Sequence, residues 1–351
     1  MSLLKSHLTD TIPWRLDGGE PVPERFSEVA EEVDKLTHHA AMMDFSHRGV
    51  VTISGPERVA FLQGLTTNQI KDVSPDKTLY TAMLTPQGRF QWDFSVGTFE
   101  ESLFLDTEPQ QAARLIAALS FYLMRTKAAL HDVSSEYGTL AVAGPQATEA
   151  IAALFPQLPL HEAPLGATFN LEGDQQLWRD PRHGDFGWRL RVKGADYPAV
   201  WEKWSQSIPT AGADAWEQYR IQQGLPKGGK ELIFGQSLPL EGGLLEMNGV
   251  SFQKGCFVGQ ETTARTHHRG TLKKRLFQVI LEGDGPVAAE TPILTPSGKE
   301  AGILTSTICQ GGKCIGLSTL RLSDVSKGNQ LTAAGRNLSV HKPQWADWEL
   351  K

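Results

Sequence analysis

The sequence lacks long apolar runs and has few cysteines. No stretch of about 18 consecutive apolar residues occurs, so we expect no membrane-spanning helix. Three cysteines in 351 residues are too few for the disulfide framework of a small secreted domain, and an odd number of cysteines cannot all pair. No Cys-x-x-Cys pair offers a structural zinc or cluster site. We therefore expect a reducing compartment and no tightly held metal.

The first twenty residues lack the features of a targeting leader. They contain one lysine, no long apolar core, and several acidic, Gly and Pro positions. This composition fits neither a secretory signal nor an Arg-rich transit peptide. A cytoplasmic location is the resulting expectation.

Excess positive charge is also absent. The formal net charge is -6 at pH 7 and the pI is about 6.0, which argues against a bulk affinity for nucleic acid. One local exception is a basic run formed by Arg265, His267, His268, Arg269, Lys273, Lys274 and Arg275. This run is suited to a folate glutamyl tail, a phosphate or RNA, and a solvated linker between domains remains an equal alternative.

The length predicts two or three compact units, because one core usually stops growing below 351 residues. Hydrophobic periodicity predicts strands at 50–54, 80–84, 89–98, 103–106, 137–143 and 188–192. It predicts helices at 59–65, 110–123, 197–204 and 213–224, and a further helix ending near 154. The turn 85–88, which contains Pro and Gly, joins two of these strands into a hairpin.

Beyond residue 269 the pattern changes to short strands separated by Gly, Pro, Ser and Asn clusters. These strands are predicted at 276–281, 293–294, 301–309, 314–320 and 338–341, which is typical of a small β-barrel or sandwich. We therefore predict one region at 1–268 with two interleaved α+β units, one of them at roughly 49–137, and a barrel domain at 269–351.

The most informative segment is the nine-residue string 254–262, KGCFVGQET. It combines a thiol, an ammonium, an amide, a carboxylate and two glycines, and lies close to the predicted domain junction, where clefts tend to form. The segment 259–261, Gly-Gln-Glu, is predicted to open a helical turn. A nearby ammonium and a helix N-terminus both favour a thiolate, so Cys256 is a candidate reactive or ligating sulfur. The alternative is a small buried core thiol.

The other two cysteines flank a predicted two-residue Gly-Gly hairpin. Cys309 and Cys314 would then lie directly opposite each other, close enough for a disulfide. In a reducing compartment we nevertheless expect two free thiols.

The string 254–261 resembles the signature of the YgfZ-type folate-binding proteins. That family includes mitochondrial iron–sulfur assembly factors and is related to the glycine-cleavage aminomethyltransferase (T-protein). Further segments resemble the family in the same order, namely 61–68, 84–90, 220–224, 239–241, 264–265 and 269–270. The resemblance extends from about Asp44 to the C-terminal barrel.

This resemblance implies an α+β fold: a three-domain ring of two α+β units with antiparallel sheets plus a small β-barrel, around a central folate channel. It implies tetrahydrofolate or a derivative as ligand, and a monomer that serves iron–sulfur assembly proteins or client enzymes, including tRNA-modifying ones. It also implies that Cys256 is a reactive or transiently ligating thiol and that Lys254 tunes it. The implied folate contacts are Asn68, Arg220, Gln222, Glu241, Gln260, Glu261 and Arg265.

Two departures from the related aminomethyltransferases limit the expected chemistry. Their paired aspartates are replaced by Trp92-Asp93, and a pterin-contacting glutamate is replaced by Gln222. An amide can still hydrogen-bond a pterin but is no carboxylate anchor, so we expect folate binding without aminomethyl transfer. The alternatives are a one-carbon transferase with Asp93 as the polarising acid, and a tRNA-binding module that uses Arg269 and Lys273.

Overall fold

The computed structural model describes residues 2–8, 12–268, 270, 272–283, 285–310, 312–325, 328 and 330–349. The chain divides into two compact units. The first unit contains Met1–Ala82, Trp92–Glu217 and Gln253–Phe257, and the second contains Met83–Gln91, Gln218–Phe252 and Val258–Lys351. The predicted boundary near residue 268 remains a prediction.

The first 143 residues form β1 to β9 and α1 to α3. The strands are β1 (Trp14–Asp17), β2 (Glu20–Pro23), β3 (Ala41–Asp44), β4 (Gly49–Ser54), β5 (Leu79–Leu84), β6 (Phe90–Phe99), β7 (Ser102–Thr107), β8 (Ala129–Asp132) and β9 (Tyr137–Ala143). The helices are α1 (Val29–His38), α2 (Arg58–Gln63) and α3 (Ala112–Leu123).

The middle of the chain adds three strands and four helices. The strands are β10 (Thr168–Asn170), β11 (Gln176–Arg179) and β12 (Trp188–Lys193). The helices are α4 (Ala147–Leu154), α5 (Tyr197–Ser205), α6 (Ala213–Gln222) and α7 (Gln260–His268). Single 3-10 turns occur at Ile70–Asp72 and Gly184–Phe186.

The first unit contains two five-stranded sheets. One has the order β5-β6-β7-β4-β8, in which β4 pairs antiparallel with both β7 and β8. The other has the order β10-β11-β12-β9-β3 with antiparallel pairing throughout. Helix α5 packs Trp201 and Trp204 into the core of this second sheet, as their helical spacing predicts.

The second unit contains a closed β-barrel. Its elements are β13 (Lys274–Glu282), β14 (Pro292–Leu294), β15 (Glu300–Gln310), β16 (Lys313–Arg321), α8 (Leu322–Val325), β17 (Thr332–Ala333) and β18 (Arg336–His341). The strand order is β13-β16-β15-β14-β17-β18, and the pairing of β18 with β13 closes the barrel. Phe277, Val279 and Leu304 are among the fully buried residues of its core. The predicted α+β class with antiparallel sheets and a small C-terminal barrel is confirmed.

Most predicted elements match the structure to within a few residues, but several short strands were not predicted. Strand β3 has four buried residues in succession, so it lacks the alternation that marks a half-buried strand. Strands β10 and β11 have only three and four residues, too few to give a period. None of the helices in the described ranges is long and apolar enough to cross a membrane.

The expectation of free thiols at the barrel hairpin is wrong. Cys309 and Cys314 pair directly across β15 and β16, as the two-residue turn predicts, and the structure joins them in a disulfide. The physical reason is the register itself, which brings the two sulfurs within bonding distance.

Candidate functional site

The Lys254 side chain is buried in the first unit and holds a loop. Its Nζ donates hydrogen bonds to the carbonyl oxygens of Gln63 and Asn68, each at 2.7 Å, and to that of Thr66. Residue 63 ends α2, and carbonyls at a helix C-terminus favour a cation. These three bonds use all three protons of the ammonium.

This arrangement gives Lys254 a different part from the one expected from the sequence. Burial lowers the pKa of Lys254 to about 8, so the group still carries its charge at neutral pH. Its protons go to carbonyls, which leaves none to donate to the sulfur of Cys256. The ring of Phe257 lies 5.1 Å from Nζ and adds a cation–π contact. We therefore interpret Lys254 as a residue that positions the string rather than a hydrogen-bond partner of the thiol.

Cys256 is exposed and free. Cys309 and Cys314 are joined to each other, so Cys256 is the free thiol of the three. The buried core thiol that was the alternative reading is therefore wrong. The exposed Cys256 thus lies two residues after Lys254, whose buried side chain anchors the backbone of the string.

Asn68 connects the lysine to the next part of the site. Its carbonyl accepts from Lys254, its Nδ2 donates to the carbonyl of Tyr80 at 2.8 Å, and its backbone N–H donates to Thr81 Oγ1 at 2.9 Å. The predicted folate contact at Asn68 thus also fixes the loop after α2 against β5.

Asp93 lies buried on β6 beside Tyr80. The Tyr80 hydroxyl donates to Asp93 Oδ2 at 2.8 Å. Burial raises the pKa of Asp93 from 3.8 to about 6, and the negative charge of Glu108 adds to the rise. The hydrogen bond from Tyr80 and the positive charges of Arg182 and Arg48 limit this rise in the pKa of Asp93. Asp93 therefore changes its charge near neutral pH, which suits a group that must accept or hold a proton.

An arginine and aromatic cluster adjoins Asp93 and was not predicted. Asp180 accepts from Arg182 at 2.9 and 2.7 Å and from Arg189 at 3.2 Å. The Arg182 guanidinium lies 3.6 Å from the centroid of Phe186 and 5.5 Å from that of Tyr80. The sequence did carry a signal: Arg189 alternates with apolar residues on β12, so it is a charged residue on a strand whose faces are both buried.

The two arginines fix the charge of Asp180. Although burial works against ionisation, Arg182 and Arg189 hold the pKa of Asp180 at about 2. Burial lowers the pKa of Arg189 to about 10, with Asp180 opposing the shift. Asp180 is thus a permanent anion, in contrast to Asp93, and the two carboxylates of this region take different electrostatic roles.

In the second unit, the later part of the string packs against the hairpin turn between β5 and β6. Gly259 has φ +81°, and a Cβ there would lie 2.5 Å from the carbonyl oxygen of Thr85. Gly88 has φ +77°, and a Cβ there would lie 2.8 Å from Thr262 Cβ. Both positions require glycine for conformation and for space. The hairpin and signature motifs therefore contact each other in the fold.

Helix α7 carries three of the predicted folate contacts on or near its exposed face. It begins at Gln260, as predicted, and Glu261 accepts from Arg265 Nη2 at 3.1 Å in an exposed i,i+4 pair. His267 stacks on Phe252 with ring centroids 4.0 Å apart. Arg269, part of the predicted basic run, lies outside the described residues.

Arg220 is committed to the protein's own groups. Its Nη1 donates to Glu231 Oε2 at 3.0 Å and its Nη2 to Ser306 Oγ at 2.7 Å, and both charged residues are fully buried. These bonds join the end of α6 to β15. We assign Arg220 a structural role, because removal of one partner from a buried ion pair is costly.

Glu241 lines a cavity of about 230 Å³ in the second unit together with Arg89 and Lys274. Burial raises the pKa of Glu241, and the charges of Lys274 and Arg89 oppose the rise. Gln222 is half-buried, and its backbone carbonyl accepts from Gln278 Nε2 at 2.7 Å. The cavity is smaller than those that enclose a whole ligand of drug size, which take about 300 Å³ or more.

The two antiparallel sheets followed by a closed barrel define the class of aminomethyltransferase-like folds. The glycine cleavage system aminomethyltransferase T of Bartonella henselae superposes with a TM-score of 0.84 over 99% of this chain and 98% of that chain, at 19% sequence identity. At that identity the similarity establishes the fold alone. The GCVT N-terminal domain model matches residues 18–250, and the CAF17 C-terminal beta-barrel domain model matches residues 273–348.

Two mammalian relatives identify the family within this fold class. The mitochondrial iron–sulfur cluster assembly factor IBA57 of Mus musculus is 35% identical over 80% of this chain and 77% of its own length. The same factor of Homo sapiens is 34% identical over 73% of this chain and 71% of its own length. The chain belongs to the IBA57 family, and in this chain a GCVT-type domain precedes a CAF17-type barrel. The predicted resemblance to iron–sulfur assembly factors related to the T-protein is confirmed.

The comparison also corrects the expected location. The relatives with these similarities, including a 28% identical protein of Mycosarcoma maydis, are named as mitochondrial. The prediction of a cytoplasmic protein is therefore wrong. That prediction was based on the composition of the first twenty residues, which fits neither a secretory signal nor an Arg-rich transit peptide.

Proposed function

We propose that this chain is an accessory factor for iron–sulfur cluster assembly, with Cys256 as its working thiol. The observation that carries the proposal is an exposed free cysteine on a backbone that Lys254 holds through three hydrogen bonds. A thiolate is the usual protein ligand of iron–sulfur clusters, and one thiol supplies one of about four ligands. Cys256 would therefore contact a cluster transiently, together with ligands from an assembly protein or a client enzyme.

The names of the relatives support this assignment. The relatives from Mus musculus, Homo sapiens and Mycosarcoma maydis are each called an iron–sulfur cluster assembly factor, and they match most of this chain. We extend the role to client enzymes that modify tRNA, on the strength of the family resemblance of the signature string. The partners would be iron–sulfur assembly proteins or these clients.

We further propose that the first unit binds tetrahydrofolate or a derivative. The groups around Asp93 are chemically suited to the ring of that ligand, since a pterin presents N–H donors and a flat face. Asp93 would accept from the ring, and Tyr80, Phe186 and the Arg182 guanidinium would offer flat surfaces. Tetrahydrofolate, when bound, supplies a carrier for one-carbon groups.

The same residues disfavour the transferase alternative. Trp92 stands where the related enzymes have an aspartate, and its indole Nε1 donates to Gln111 Oε1 at 3.3 Å. Asp93 therefore lacks an adjacent second acid at that position. Binding of folate without aminomethyl transfer remains our proposal, and turnover in an aminomethyltransferase assay would reverse it.

Calorimetric titration of tetrahydrofolate tests the folate proposal. We expect Asp93→Asn to weaken binding by about tenfold or more, because a hydrogen bond to a charged acceptor contributes about 1.5–3 kcal/mol. Asp132→Asn is the matched control, since Asp132 is an exposed acid on β8 of the same sheet. Absence of binding to the unsubstituted chain, or equal affinities of both variants, would contradict the proposal.

A further inference from the structure

The disulfide on the β15–β16 hairpin lies apart from the residues discussed above and has an asymmetric environment. Cys309 is exposed, whereas Cys314 is 1% exposed. The two residues pair directly across a two-residue turn. Cys309 is therefore the more accessible of the two residues to an attacking thiol.

A positioned cation faces the buried sulfur. Arg336 Nη1 lies 3.7 Å from Cys314 Sγ and donates to the Gly285 carbonyl at 2.9 Å. The guanidinium also donates to the carbonyls of Glu282, Leu281 and Gly283. Within the described ranges its hydrogen-bond partners are thus carbonyl oxygens and one sulfur, so no carboxylate neutralises its charge there. A cation in contact with sulfur stabilises the thiolate form.

There is also space beside the bond. A cavity of about 260 Å³ is lined by both cysteines, Lys313, Pro286 and the glycines at 283, 285 and 312. Because these glycines have no side chains, they leave open space beside the two sulfurs. Lys313 and Arg336 contribute two positive charges beside the one negative charge of Glu282, which pairs opposite Lys313, and this balance favours a thiol that carries carboxylates.

A disulfide with a purely structural role would add little stability at this position. The cysteines are five positions apart, and a crosslink that closes so short a loop restricts the unfolded chain less than a long one does. The strands are already paired by the barrel ladder on both sides of the bond.

We propose that Cys309 and Cys314 form a thiol–disulfide exchange site for small thiols that carry carboxylates. A substrate thiolate attacks Cys309 Sγ and forms a mixed disulfide, while the Cys309–Cys314 bond breaks and its electron pair leaves on Cys314 Sγ beside Arg336. A second substrate thiolate attacks the substrate sulfur of the mixed disulfide and releases Cys309 as a thiolate. Two thiols are oxidised to one disulfide, the protein pair gains two electrons, and both protein thiolates take up the protons that the thiols gave.

The test uses the full chain with Cys256→Ser, reduced glutathione as the probe, an acid quench, alkylation and tryptic mass spectrometry. Trypsin separates the two sulfurs, because Cys309 lies in residues 300–313 and Cys314 in residues 314–321. We expect the glutathione adduct on the first peptide and an alkylated thiol on the second. An adduct on Cys314, or a native chain that resists glutathione while the urea-unfolded chain reacts, would overturn the proposal.

Substitution of Arg336 provides a second, independent test of the proposal. Arg336→Gln should slow adduct formation on the order of tenfold, because the leaving sulfur loses its stabilising charge, and Arg336→Lys should retain most of the rate. Circular dichroism verifies that both variants remain folded. An unchanged rate in a folded Arg336→Gln chain would contradict the role of the guanidinium. Equal rates per thiolate for glutathione and uncharged 2-mercaptoethanol would contradict the substrate class.

Discussion

At the scale of single residues, Lys254 and Asp93 show how burial changes what a charged side chain does. Lys254 lies next to Cys256 in the sequence, which suggested electrostatic tuning, yet its ammonium is turned into the protein toward three carbonyls. Asp93 is the acid that remains of the pair in related enzymes, and it lies buried against a tyrosine hydroxyl. Adjacency to Cys256 identified Lys254 and the family resemblance identified Asp93, but neither gave the orientation or burial of the side chain.

Replacement of Lys254 by Met should destabilise the first unit by about 3 kcal/mol, because three carbonyl oxygens, one of them in a buried hydrogen bond, lose their donor. Urea unfolding measures the change. Lys71→Met is the control, since Lys71 is an exposed lysine in the 3-10 turn that follows the same loop. If the two variants have equal unfolding free energies, the three carbonyls do not depend on the Lys254 ammonium.

The raised pKa of Asp93 predicts a pH-dependent stability with a definite sign. In the folded chain the pKa is about 6 and the ordinary value is 3.8, so the folded state binds more protons between these values. The stabilisation from protonated Asp93 is complete below about pH 3.8 and is lost as the pH rises through 6. That loss amounts to about 3 kcal/mol.

Comparison of unfolding free energies at pH 4.5 and 7.5 tests this sign. Asp93→Asn should gain stability relative to the unsubstituted chain at the higher pH, because its neutral amide does not ionise in the burial site. A difference between the two chains that stays constant over the range would show that Asp93 titrates normally.

At the scale of elements, regular periodicity predicted most of the helices and the long strands, but helix α1 and several short strands were not predicted. Helix α3 and strand β9 match their predicted bounds closely because each has a clear apolar pattern. Strand β3 is buried throughout, and its pairing with β9 supplies a requirement that no local pattern contains. The same limit applies to the site: Arg189 and Asp180 meet through strand register and a loop, so their contact depends on tertiary structure.

The glycines of the signature string give an element-level prediction with an internal control. Gly259→Ala should destabilise the second unit by about 3 kcal/mol, from a positive φ and a contact with the Thr85 carbonyl. Gly255→Ala should be almost neutral, within about 0.5 kcal/mol, because a Cβ at Gly255 meets no atom within 4 Å. Chemical unfolding of both variants measures this; similar losses would mean that the string is sensitive throughout.

At the scale of the whole molecule, the charge distribution bears on the tRNA-binding alternative. The net charge is -6, and two members of the basic run are paired, Arg265 with Glu261 and Arg275 with Glu246. We expect the chain to bind tRNA weakly even at about 50 mM salt, because a net acidic chain repels phosphates and the two paired cations displace fewer counterions. Filter binding at several salt concentrations measures this. Tight, salt-dependent binding that is lost on substitution of Arg269 and Lys273 would restore the RNA-binding interpretation.

The most direct test of the central claim is replacement of Cys256 by Ser in cells that depend on this chain, followed by assays of their iron–sulfur enzymes. Gly255→Ala is the control for disturbance of the string. We predict that the enzymes lose activity with Cys256→Ser and keep it with Gly255→Ala, while the affinity of the purified Cys256→Ser chain for tetrahydrofolate is unchanged. Full enzyme activity with Cys256→Ser would contradict the role of the thiol.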